Sequence, residues 1–116
     1  MKKAYFLSTC STCKKIIDQI ESPESFPMQD IKTSSITAEQ TEEMRELAGS
    51  YEALFSRRAM KFRSMGLHEK TLTEENYKAL MIDEYTFLKR PVFIVDDKIF
   101  VGNAKKTVEA FLSEIQ

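Results

Sequence analysis

The chain has 116 residues, 42% hydrophobic and 30% charged, with 17 Lys and Arg against 18 Asp and Glu for a formal charge of −1. That length suits one compact domain over residues 1–116 with a real core, and a composition with only three Gly and three Pro excludes a disordered or fibrous chain. The near-neutral balance excludes the broad basic footprint of a nucleic-acid binder, and no apolar run approaches the roughly 20 residues of a membrane span. Met1-Lys2-Lys3 leads into too short an apolar stretch for a signal peptide, so a cytoplasmic protein is expected.

The first element is an apolar strand, Lys3–Leu7, followed by a small polar turn at Ser8-Thr9 and a helical pattern from Ser11 through Ile20. Ile16, Ile17 and Ile20 have the three- and four-residue spacings of one helix face. Residues 25–31 read as a second short strand, whose Pro27 suits an edge position. Thr37 and Gln40 have capping-box spacing ahead of a helix carrying Met44, Leu47 and Ala48, which Gly49-Ser50 ends. Tyr51–Phe55 reads as a short further helix, and 56–65 as loop or helix up to Gly66. Thr73 is a candidate N-cap for a helix from Glu74 to about Asp83.

Val92–Val95 is the most β-prone run in the chain, and Asp96-Asp97 turns it into a hairpin with Lys98–Val101. A last helix buries Val108, Phe111, Leu112 and Ile115. The order is βαβ, a helical block, then ββα. Right-handed crossover geometry makes the first two strands parallel, whereas the hairpin is antiparallel. The expected fold is therefore an α/β, thioredoxin-like four-stranded mixed sheet with an all-helical insertion at about 36–85.

Both cysteines lie together in Cys10-Ser11-Thr12-Cys13, where a disulfide closes almost no loop and so adds little structural stability. A structural zinc needs four ligands, and the single His68 with two cysteines does not supply them, so no metal is expected. What remains is redox chemistry or a pair of small buried thiols with no reaction to perform, and the strand-to-helix context favours the first. A cysteine pair that opens a helix after a strand meets unpaired backbone N–H groups and the positive end of the helix dipole, which stabilise a thiolate. Lys14 and Lys15 are expected to add positive charge. Cys10, on the outer side, is the expected nucleophile; Cys13, one turn inward, is placed to resolve a mixed disulfide formed on Cys10.

With Ala53-Leu54-Phe55-Ser56-Arg57-Arg58, Gly66-Leu67 and Lys89-Arg90-Pro91-Val92 following in order, the chain resembles the glutaredoxin-dependent arsenate reductase family with its Spx regulators and YffB-like relatives. The resemblance implies a cis Pro91 beside the reactive thiol and an oxyanion- or substrate-binding set of Ser11, Thr12, Arg58, Arg90 and Pro91. A guanidinium suits a tetrahedral oxyanion because its planar donors fork onto two oxygens. Ser56 and Gly102 stand where the family's arsenate reductases carry further arginines. Their loss argues against tight arsenate binding, since a hydrogen bond to a charged group is worth about 1.5–3 kcal/mol.

The resemblance thus implies a thiol–disulfide oxidoreductase reducing arsenate or a protein or glutathione mixed disulfide. It needs no bound cofactor and takes electrons from glutathione, glutaredoxin, thioredoxin or another thiol reductant. The alternative it offers is an Spx-like redox-sensing regulator that binds the RNA polymerase α subunit. In either case a monomer without direct nucleic-acid or membrane contacts is expected.

Overall fold

The computed structural model describes residues 1–116. Its four strands are β1 (Lys2–Phe6), β2 (Met28–Asp30), β3 (Val92–Val95) and β4 (Lys98–Val101). They form one sheet in the order β2-β1-β3-β4. β1 runs parallel to β2 and antiparallel to β3, and β3 and β4 form the antiparallel hairpin. The chain divides into two compact units, one of Met1–Ser35 with Arg90–Gln116, the other of Ile36–Lys89.

The first unit holds the sheet with α1 (Ser11–Ile17) and α5 (Lys105–Ile115). Ala4, Phe93 and Val95, one face of β1 and β3, join Ile16 and Ile20 from the first helical segment, Phe26, and Phe111 of α5 in one core cluster. Alternate strand residues point to opposite faces, so both helices pack on the same side of the sheet. The Phe93 and Phe111 rings stack at 3.9 Å between centroids, and Phe26 meets both edge-on. All four residues of β3 are buried, as a central strand covered on both faces requires.

Two boundaries differ from the periodicity. Regular α-helix ends at Ile17 instead of Ile20, because Gln19 and Ile20 donate to the carbonyls three residues back, a tighter turn that still buries Ile20. The second strand is only three residues long. Pro23–Ser25 form a 3-10 turn, and Pro27 contributes its carbonyl to Ala4 N–H before the ladder of β2 begins.

The second unit is helical: α2 (Ala38–Ala48), α3 (Met60–Ser64) and α4 (Glu74–Asp83). Thr37 and Thr73 each close a full capping box, with Gln40 and Asn76 respectively. Gly49 ends α2 at φ +98°, where a side chain would be strained. The expected short helix at Tyr51–Phe55 is a 3-10 turn, Glu52–Leu54, tied to α4 by the Glu74 carboxylate, which accepts the N–H groups of Tyr51 and Glu52 at 2.7 and 3.1 Å. Phe55 is fully buried between Phe87, stacked at 5.0 Å, and Tyr77 at 4.8 Å. No helix is long and apolar enough to cross a membrane.

Candidate redox site

The pairing fixes which ends of the strands meet. Tyr5 pairs with Val92, Val92 with Val101, and Phe6 with Asp30. The ends of β1, β2 and β4 and the start of β3 therefore lie along one edge of the sheet. Four loop features follow from this: the cysteine turn after β1, Asp30 closing β2, Arg90-Pro91 before β3, and Gly102 after β4. Loops at such an edge are the usual place for chemistry, because a rigid sheet positions them.

The turn after β1 closes through the Cys10 N–H on the Leu7 carbonyl at 3.0 Å, which sets Cys10 as the N-cap residue of α1. Cys10 is half-buried and Cys13 is fully buried. Partial burial disfavours charge on Cys10. The backbone N–H of Cys13, the Cys13 thiol, the Arg90 charge and the Thr12 N–H outweigh it, and hold the Cys10 thiol below its ordinary value. Cys13 goes the other way. Desolvation dominates there and, even with a hydrogen bond from the Leu7 backbone, pushes that thiol up to about 11. One sulfur is thus prepared to ionise and its neighbour to stay protonated.

The cation that acts on the pair is Arg90, not the Lys14 and Lys15 suggested by sequence proximity. Both lysines are exposed on α1, where solvent screens them. The Arg90–Pro91 peptide bond is cis, and the Pro91 carbonyl accepts the Gly102 N–H at 2.9 Å. Ser11 and Thr12 are exposed at the start of α1; Thr12 acts on Cys10 through its backbone N–H. Arg58 belongs to the helical unit, exposed in the turn ahead of α3.

Asp30 is a participant that the sequence did not single out. Its carboxylate accepts the Ser8 and Lys32 N–H groups, both at 3.2 Å, and so ties the turn before the cysteines to the end of β2. The Ser8 hydroxyl, ahead of these amides, holds the carboxyl below the usual carboxylate range. An acid at the last residue of a strand beside a Ser-Thr turn was the available signal. No group of three or more His, Cys, Asp or Glu side chains is arranged to hold a metal ion.

Fold and site together define a thioredoxin-like protein with a dithiol at its first strand-to-helix turn. The ArsC family model matches residues 5–111, and the chain belongs to the ArsC family. Among solved structures it is similar to an arsenate reductase from Vibrio cholerae, with 14% identity, TM-score 0.79, and 99% and 97% of the two chains covered. An arsenate reductase-related protein from Brucella melitensis aligns at 24% identity and TM-score 0.71 over 95% of this chain and 92% of its own. A protein titled YFFB aligns over the full length of both chains at 20% identity and TM-score 0.80. A sequence comparison with curated proteins gives no match.

Proposed function

We propose that this protein is a thiol–disulfide oxidoreductase in which Cys10 captures a disulfide substrate and Cys13 releases it. The observation that carries the reading is the opposed acidity of two adjacent thiols, Cys10 lowered and Cys13 raised to about 11. The Cys10 thiolate attacks one sulfur of the substrate disulfide, forming a mixed disulfide and expelling the other sulfur as a thiolate. Cys13 then loses its proton and attacks the Cys10 sulfur. The second substrate thiolate leaves, and the substrate disulfide has gained two electrons at the expense of a new Cys10–Cys13 disulfide. Two equivalents of glutathione, or one of a glutaredoxin- or thioredoxin-type dithiol, restore the pair.

Arg90 supports both steps by holding negative charge on sulfur. It also offers the forked donors that an oxyanion needs. Ser56 and Gly102 add no charge for arsenate, so disulfides are the main substrates in this reading and arsenate a poor one. Mixed-disulfide capture tests it: Cys13→Ser should accumulate a covalent adduct with glutathione disulfide or a model disulfide, whereas the native protein turns over. A Cys10–Cys13 couple that titrates reversibly without any turnover would replace the enzyme with a redox switch, for which the polymerase α subunit is the partner to try. Failure of both adduct and couple would remove the redox reading altogether.

A further inference from the structure

The helical unit contains a cavity of about 460 Å³ that the dithiol chemistry does not use. We propose that it binds an amphipathic monoanion, a flat apolar body carrying one carboxylate. Phe62, Leu67, Leu72 and Tyr77 supply apolar wall, while Arg57 and Lys70 bring the cationic groups. A concave space of a few hundred Å³ that sets apolar wall beside convergent polar groups can hold a small molecule that is itself part apolar and part charged.

The charges narrow the ligand. Arg57 donates from Nη2 to Glu52 Oε2 at 2.7 Å and to the Tyr77 hydroxyl at 2.8 Å, which fixes the guanidinium against the wall, 5.7 Å from the Tyr77 ring centre. Glu52 thereby balances Arg57. Lys70 makes no ion pair, so the lining keeps an uncompensated positive charge. A cationic ligand meets Arg57 and Lys70 with nothing to spare on Glu52. A polyphosphate meets the Glu52 carboxylate and too few cations. A single carboxylate at Lys70 with an apolar body against Phe62 and Tyr77 satisfies both constraints.

His68 lines the cavity, with its ring 6.4 Å from that of Phe62, and it is the chain's only histidine. Its imidazole Hε1 resonance therefore reads occupancy without assignment. Naphthalene-2-carboxylate should shift that resonance saturably, with 2-naphthylmethylammonium and inorganic phosphate shifting it far less at equal concentration. Lys70→Glu should weaken naphthoate binding at least about tenfold, equivalent to about 1.4 kcal/mol. Thr71→Trp should abolish the response, because Thr71 lines the cavity and an indole there takes up its space. Unchanged far-ultraviolet circular dichroism and an unchanged urea midpoint show that both variants are folded. The proposal is overturned if the ammonium compound or phosphate binds as well as naphthoate, if Lys70→Glu leaves its affinity unchanged, or if no saturable shift develops by about 10 mM, a ligand interaction weaker than about 3 kcal/mol.

Discussion

The chemistry of the site depends on which of two identical functional groups carries the charge. Cys10 meets amide donors, the Cys13 thiol and Arg90, whereas Cys13 meets mainly the interior. Removing the guanidinium in Arg90→Gln should raise the Cys10 pKa and slow its alkylation near pH 7 by about three- to tenfold, measured with iodoacetamide against pH. An unchanged pH profile would assign the acidity to the amides alone. The cysteine pair was legible because strand, turn and helix start are all local. The approach of Arg90 was not legible from spacing, since only the β1–β3 pairing carries it to the same sheet edge. Asp30 escaped notice for the same reason: its partner, Ser8, lies across the parallel β1–β2 ladder. Because its folded pKa is depressed, Asp30 contributes stability that is present above about pH 4 and is lost as pH falls through the lower folded value. The urea-stability difference between the native chain and Asp30→Ala should accordingly be largest near neutrality and shrink in acid.

Elements whose ends are written in local hydrogen bonds were the readable ones. Thr37 and Thr73 each precede a residue that can return the bond at the third position, and both boxes form. Thr37→Ala and Thr73→Ala should each cost about 1 kcal/mol of stability in urea titrations, and the two losses should add within about 0.5 kcal/mol, because the boxes share no partner. A loss well below that would mean the helices are held by packing alone. The hairpin was equally legible, from its β-prone run and its Asp96-Asp97 turn, where Asp96 adopts φ +56°. β2 and the region between α2 and α4 were harder. Three ladder residues carry almost no periodicity. The 3-10 turn at Glu52–Leu54 depends on a carboxylate, Glu74, from a distant part of the sequence. A second long-range tie joins the helices: Glu42 of α2 accepts a bond from Lys78 of α4 at 2.7 Å. This pair is exposed at the Glu42 end and contributes little on the scale of a cap.

At the scale of the whole molecule the two thiols link redox chemistry to folding with opposite signs. A thiol whose folded pKa is lowered binds fewer protons in the native state than in the unfolded state, so Cys10 makes stability rise with pH up to the ordinary thiol value near 8.5. Above that value the unfolded chain has lost the Cys13 proton while the native protein keeps it, up to about 11. Over that interval Cys13 makes stability fall, by up to about 1.4 kcal/mol per pH unit. The reduced protein should therefore lose urea resistance steeply between about pH 8.5 and 11; Cys13→Ala should flatten that slope and also weaken the rise below 8.5, because it removes the Cys13 thiol that helps hold Cys10 ionised. The comparison isolates Cys13 from the lysines, which titrate in both proteins. Equal alkaline slopes in the two proteins would show that the Cys13 thiol ionises without penalty. The buried sulfur would then be as ready a nucleophile as Cys10, and the assignment of capture to Cys10 and resolution to Cys13 would lose its physical basis.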